Sequence, residues 1–506
     1  MVSLILLAIG GCAETARPRG AVAADHPLAS EAGASMLRQG GNAVDAAIAA
    51  VLSQGVVQPS SSGLGGGGFA IVVTAKGEAT GLDFREVAPA AATRDMFAAA
   101  DSRNGGLAVA VPAEAFGLVE LHRRFGTLPL ATIAAPALSQ ARDGFETGTY
   151  LASQLPKFPE MTALFEPGNR RPRLADTIQA LVETGDTAFR SGWVAQDVVE
   201  AVRVAGGVLT MEDLASYRVK ERTPLIGTYG AYTVVTMPPP SSGGVALLQM
   251  LAVGAKDLHC DVESAKHAMA DRAAHGGDPD FAHVDVPALL AHAATWTCPP
   301  TTQPPSYYGA ITIGADAETL HVSVIDGAGL AVSLTTTINT GFGSQVIAPR
   351  SGILLNNEMD DFAAKPGQPN FYGLVQGEAN AIVADKRPLS SMTPTVVLDA
   401  KKRPMVAIGA SGGPRIITAT YEVLRMVLDQ GLDAEAALAT PRWHHQWLPD
   451  EVTVDPGFAG KAALEAHGHK VVEVESSTAV EVVVRRGTRF DAASDPRKSG
   501  EAVILR

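Results

Sequence analysis

The residues with the clearest chemical potential lie between Glu318 and Asp361. Leu320, Val322 and Val324 alternate with His321, Ser323 and Ile325, and Leu330, Val332 and Leu334 repeat the pattern beyond Asp326-Gly327-Ala328-Gly329. Period-two alternation on both sides of a Gly/Asp turn predicts a β-hairpin. Centred near Ala328, the hairpin sets Thr319 opposite Thr337, within a cross-strand reach of roughly 5 Å. A threonine hydroxyl is a weak nucleophile until a base removes its proton. From spacing alone, the pair reads by default as two β-branched residues in strands. Arg85 stands at the tip of a strand, where a charge is ordinarily solvated. Glu358 and Asp361 in Asn356-Asn-Glu-Met-Asp-Asp-Phe362 read by default as loop caps, and Gly412-Gly413 as a turn into a helix.

Several separate segments together resemble the γ-glutamyltransferase (γ-glutamyltranspeptidase) family. They are the hairpin, NNEMDDF, PLSSMTPT (388–395) and GASGGPR (409–415), with the glycine run at 65–68 and PPPSSGG (238–244) in support. The resemblance covers almost the whole chain after residue 17. It implies an α/β, four-layer αββα sandwich of the N-terminal-nucleophile hydrolase type. It also implies a single chain that cuts itself before Thr319 into a large subunit (18–318) and a small one (319–506), which remain together as a heterodimer.

A free α-amine has a pKa of about 7.7–8, so an N-terminal threonine carries its own base. No histidine, metal or cofactor is then needed. By the same resemblance Thr337 supports Thr319, and Gly412 and Gly413 offer backbone N–H groups to an oxyanion. Arg85, Ser390 and Ser391 match the contacts to a substrate α-carboxylate, a task that suits a planar guanidinium fork. Asn339, Glu358 and Asp361 match those to its α-ammonium, whose three donors need three acceptors. Tyr372, in a Pro/Gly loop (365–373), matches a lid residue. The family usually has threonine directly after the nucleophile, where this chain has Leu320. The implied partners are γ-glutamyl compounds such as glutathione, and amino acid or peptide acceptors. A cephalosporin or glutaryl acylase of the same architecture is the nearest alternative, and an unprocessed, inactive binding protein is another.

The elements that must position these residues follow from the rest of the chain. At 506 residues it exceeds an ordinary single core, so two domains or one large layered domain are expected. A net charge of −13 (40 Lys+Arg against 53 Asp+Glu) without a basic run excludes nucleic acid and anionic membrane surfaces as partners. The first dozen residues form a short apolar run ending Gly-Gly-Cys12, like a lipoprotein signal although without its positive start. Residues 1–17 are therefore expected to be a signal and linker. The protein would be exported, periplasmic or held on the outer side of the membrane by a lipid on Cys12.

A strand over 21–24 precedes two helices, the second capped by Asn42 with an apolar face at Val44, Ala47, Ile48, Val51 and Leu52. The four glycines before the next strand read as close backbone packing rather than a phosphate cradle, because no GK[ST] follows. Residues 113–220 read as helical scaffold, 257–318 as looser chain with an exposed, unstructured approach to Thr319, and 452–483 as a closing strand–helix–strand. Cys260 and Cys298 either pair or remain as buried thiols. The Trp443-His-His-Gln-Trp447 cluster, without a third ligand spaced to complete a metal site, is assigned a structural role.

Overall fold

The computed structural model describes residues 20–254, 257–309, 319–364, 370, 371, 374 and 376–506. Ten strands precede residue 412: β1 (Gly20–Ala24), β2 (Gly67–Val73), β3 (Ala79–Phe84), β4 (Lys220–Arg222), β5 (Leu225–Tyr229), β6 (Tyr232–Thr236), β7 (Leu320–Asp326), β8 (Ala331–Thr337), β9 (Thr395–Leu398) and β10 (Pro404–Ser411). Six follow: β11 (Trp443–His444), β12 (Val452–Val454), β13 (Val471–Glu473), β14 (Ala479–Arg486), β15 (Arg489–Ser494) and β16 (Glu501–Leu505). One sheet has the order β16-β1-β7-β8-β2-β3-β4, and a second runs β15-β14-β10-β9-β6-β5. Strands from before and after residue 319 are interleaved in the first sheet, whereas in the second β15, β14, β10 and β9 lie on one side and β6 and β5 on the other. β11, β12 and β13 form a small third sheet.

The two large sheets face each other, with β7 and β8 against β10 and β14. Every residue of β7 and β8 is buried, so the alternation in the sequence separates two interior layers rather than core from solvent. Val322, Val324, Val332 and Leu334 join the outer core with helices 27–38, 43–57, 114–125 and 130–143. Ile325 and Ala331 instead point between the sheets with Ala21, Ala23, Phe69 and Ile71, facing Val396, Ala407 and Val482. Helices 243–253, 258–275 and 415–428 cover the second sheet, completing an αββα sandwich. No helix among the described residues is long and apolar enough to cross a membrane.

Local expectations hold where a short-range signal exists. Asn42 caps helix 43–57 in a reciprocal box with Asp45. The glycine run lies against β8: a Cβ on Gly66 would come within 1.9 Å of the Thr337 carbonyl oxygen, and one on Gly68 within 2.2 Å of that of Thr335.

Three expectations are corrected. The stretch after Asp257 is not loose, because Leu258–His275 is an 18-residue helix capped by Asp257. Its buried face carries Glu263, Lys266, Asp271 and Arg272, so it shows no apolar stripe in the sequence. The chain leading toward Thr319 is also pinned as far as residue 309. Lys266 Nζ holds Thr302 Oγ1 (2.7 Å) and the Gln303 carbonyl (2.9 Å), and Tyr308 donates to Glu263. Finally, β15 and β16 follow the expected closing unit, and β16 pairs with β1. The open question of Cys260 and Cys298 resolves as a disulfide with Cα atoms 5.3 Å apart, near the surface rather than buried.

One buried acid makes the sandwich sensitive to pH. Ser62 Oγ bridges Glu114 Oε2 (3.0 Å) and Thr336 Oγ1 (2.7 Å), linking helix 114–125 to β8. Burial pushes the Glu114 carboxyl up to about 8. A raised carboxyl pKa means the folded state holds a proton that the unfolded chain releases near pH 4.5. Its stabilisation is therefore complete below that pH and is lost as pH rises through about 8. Glu114→Gln should flatten this slope, by on the order of 4 kcal/mol across the window. Urea midpoints measured from pH 5 to 9 test this; parallel curves for the two proteins would refute it.

Candidate active site

Leu320 pairs with Thr336, so the next pair outward is Thr319 with Thr337, the register that the hairpin pattern predicts. Both threonines are buried and both line a cavity of about 300 Å³ at one end of the sandwich, where β7 begins and β8 ends. The same cavity is lined by Arg85, Asn339, Glu358, Asp361, Ser390, Ser391 and Gly413. These residues span more than 300 positions, and the strand ends and connections around β3, β8, β9 and β10 bring them together. Gly412 borders Gly413 without itself lining the cavity. Tyr372 lies outside the described residues.

Arg85 follows β3 immediately and is among the most deeply buried side chains. Its guanidinium pairs with Glu358 and Asp361, and Glu86 lies 3.6 Å away. Burial alone would lower the Arg85 pKa, but the neighbouring Glu358, Asp361 and Glu86 outweigh it and push it up. Burial raises all three carboxyls against the opposing pull of Arg85, Glu86 to about 7 and Glu358 well above the usual range. One guanidinium thus serves several acids.

Asn339 is held in the left-handed region (φ 78°). Its N–H donates to Thr337 Oγ1 (2.8 Å) and its side-chain amide to the Asn357 carbonyl (3.0 Å). That ties the end of β8 to the acidic turn 358–361. Gly412 (φ 122°) and Gly413 (φ 57°) both adopt backbone conformations that disfavour side chains, and a Cβ on Gly412 would meet Thr478 Oγ1 at 2.7 Å. They deliver the chain from β10 into helix 415–428, whose N-terminus faces the cavity with Pro414 and Ile416.

Sequence reading missed several neighbours of this cavity. Arg272, Leu374, Met392, Pro414 and Ile416 line it; Met392 and Pro414 fall inside the motifs at 388–395 and 409–415, whereas Arg272, Leu374 and Ile416 carry no sequence signal. His321, only two residues past Thr319, sits between the sheets bonded to Thr335 Oγ1 (2.8 Å), and burial lowers it to about 3, keeping it neutral. The Trp443–Trp447 cluster is built into the fold: His444 Nδ1 bonds Thr418 Oγ1 (2.8 Å) and His445 Nδ1 accepts from the Trp447 N–H (2.9 Å).

Lys498, fully buried in the C-terminal segment, donates from Nζ to the Thr319 carbonyl (2.7 Å). It faces Asp25 and Glu481, both raised chiefly by burial, and Asp25 Oδ2 accepts the His321 N–H (2.8 Å). The peptide that orients Thr319 is therefore clamped from outside the cavity. Lys498→Met should lower kcat about a hundredfold through misplacement of Thr319, with KM little changed because Lys498 does not line the cavity. A raised KM at undiminished kcat would contradict this.

Two facing antiparallel sheets between helical layers, with this cavity at their mouth, place the protein among the N-terminal-nucleophile hydrolases in fold. The chain belongs to the gamma-glutamyltranspeptidase family, whose profile matches residues 29–505, and it is an enzyme of that family. It is 39% identical to the glutathione hydrolase proenzyme of Escherichia coli K12, over 95% of this chain and 90% of that protein. With glutathione hydrolase 2 of Arabidopsis thaliana it shares 36% identity over 95% of its length and 93% of that protein's. Among solved structures it resembles a cephalosporin acylase from Bacillus halodurans (TM-score 0.84, 28% identity, 96% of both chains). It also resembles the Helicobacter pylori gamma-glutamyltranspeptidase (TM-score 0.53, 35% identity), over 56% of this chain and 93% of that one.

Proposed function

We propose that the protein transfers the γ-glutamyl group of glutathione and related compounds to water or to an amino acid or peptide, through an ester on Thr319. The observation that carries this reading is one cavity holding a strand-start threonine beside a buried guanidinium and two buried carboxyls. In this reading the Thr319 hydroxyl first attacks the Glu318 carbonyl. The acyl group moves from nitrogen to oxygen, and water then hydrolyses the ester. A Glu318 carboxylate and a free Thr319 amine result, giving subunits 18–318 and 319–506.

That amine accepts the Oγ proton as Oγ attacks the donor's γ-carbonyl, and the leaving amine takes the proton. The N–H groups of Gly412 and Gly413 stabilise the oxyanion, and Thr337 supports the Thr319 hydroxyl. The donor's ammonium goes to Asn339, Glu358 and Asp361, and its carboxylate to Arg85, Ser390 and Ser391. Each ion of the substrate thereby replaces one half of an ion pair already present. Tyr372 is assigned to a lid over the donor. Residues 1–17 are assigned to export, with a lipid on Cys12.

Intact-mass measurement and N-terminal sequencing of purified protein, with assay on γ-glutamyl-p-nitroanilide, test the whole scheme. Two chains are expected, one beginning at Thr319 and the other at or shortly after Cys12. One uncut, inactive chain would favour a binding protein. An intact Met1 in the soluble cytoplasmic fraction would refute export.

A further inference from the structure

Arg272 is the second guanidinium in the wall of the cavity, and nothing in the scheme above uses it. It comes from helix 258–275 and is buried. Its Nε donates to Ser242 Oγ (2.9 Å), and Ser242 Oγ donates in turn to the Ser390 carbonyl (2.7 Å). One edge of the guanidinium is thus fixed against the shelf that presents Ser390 and Ser391. Its Nη1, although buried, has no hydrogen-bond partner among the described residues.

Arg272 also lines a second cavity of about 320 Å³, whose wall is mainly apolar. The acid there, Asp271, is engaged by Gln249 (2.8 Å) and His292 (3.1 Å). The charges that act on Arg272 are Asp361, which favours its charged form, and Arg85, which opposes it. Both belong to the first cavity. Burial lowers Arg272 to about 10, so it remains a cation at neutral pH.

Arg85 meanwhile is committed to Glu358 and Asp361. Within the proposed function, a donor whose ammonium engages Asp361 takes up the acid that acts on Arg272 and brings a carboxylate to the same shelf. A buried donor without an acceptor is costly, and a carboxylate supplies the missing acceptor.

We propose that Arg272 is a specificity-determining residue that receives the donor's α-carboxylate through Nη1, sharing it with Arg85. A fork anchored at Nε on the serine shelf presents its remaining N–H groups in a fixed direction, which a lysine ammonium does not reproduce. This inference rests on the γ-glutamyl reading.

Its test compares γ-glutamyl-p-nitroanilide with the same compound bearing an α-carboxamide, using processed wild-type, Arg272→Gln and Arg272→Lys proteins. Wild type should prefer the carboxylate substrate. In Arg272→Gln, kcat/KM for the carboxylate substrate should fall tenfold to a hundredfold, mostly through KM, while the carboxamide loses little, so the preference collapses. Arg272→Lys should recover part of the preference, and it carries the test if the glutamine variant fails to fold or self-cleave. A merely structural Arg272 would lower both substrates equally; that result, or an unchanged preference, overturns the inference. A wild-type enzyme inactive on both substrates overturns the γ-glutamyl reading and this inference with it.

Discussion

Thr319→Ala is expected to purify as one uncut chain with γ-glutamyl turnover at background. In the proposed scheme the same oxygen opens the Glu318–Thr319 bond and later carries the acyl group, and the α-amine that activates it does not exist before the cut. Removing a nucleophile from a serine hydrolase costs on the order of 10⁶ in kcat. Here processing is lost as well. Thr319→Ser keeps a hydroxyl at the same place and should still cleave, more slowly. The fold should tolerate the alanine, since Leu320 onward supplies the β7 pairing. Denaturing gels and intact masses of the three proteins decide the matter. Normal cleavage in the alanine variant would remove Thr319 from the scheme.

The second large effect separates γ-glutamyl transfer from glutaryl acylase activity, a live comparison given the likeness to a cephalosporin acylase. Glutaryl keeps the terminal carboxylate of the γ-glutamyl group but lacks its α-ammonium. A glutaryl carboxylate drawing Arg85 away would leave Glu358 and Asp361 buried without a counter-ion. Sites built to pair a polar group reject analogues lacking it by 10⁴ or more in favourable cases. We expect γ-glutamyl-p-nitroanilide to be preferred over glutaryl-p-nitroanilide by at least about a hundredfold at neutral pH.

The preference should also depend on pH. Both carboxyls have raised pKa values, so acidification protonates them and removes the penalty for lacking an ammonium. Discrimination should therefore shrink as pH falls and grow as it rises. Asp361→Ala should depress γ-glutamyl turnover with self-cleavage intact, and Arg85→Lys should weaken donor binding, because one ammonium does not form the two-pronged contact. Equal rates on the two compounds would hand the site to the acylase reading.

Features set by neighbours in sequence were legible without a structure. The Ala328-centred turn and its flanking alternation determine that Leu320 meets Thr336, because hairpin register is a local property. Asn42 precedes helix 43–57 and caps it, again through contacts a few residues away. The resemblance to the family points to residues 85, 319, 358, 390 and 413, and these line one cavity.

What the tertiary structure alone decided concerns charge. Arg85 read as a solvated strand tip is buried against Glu358 and Asp361, and helix 258–275 was obscured by Glu263, Lys266, Asp271 and Arg272, which turn inward. A sequence identifies an ionisable residue but not its partner, and burial of a charge depends on a partner that is often hundreds of residues away. Lys498 reaches back 179 positions to the Thr319 carbonyl, and Arg272 reaches the Ser390 shelf through Ser242. The strand that carries Thr319 and its register were therefore determined by local sequence, whereas the electrostatic setting of the cavity arose only when the two sheets closed on each other.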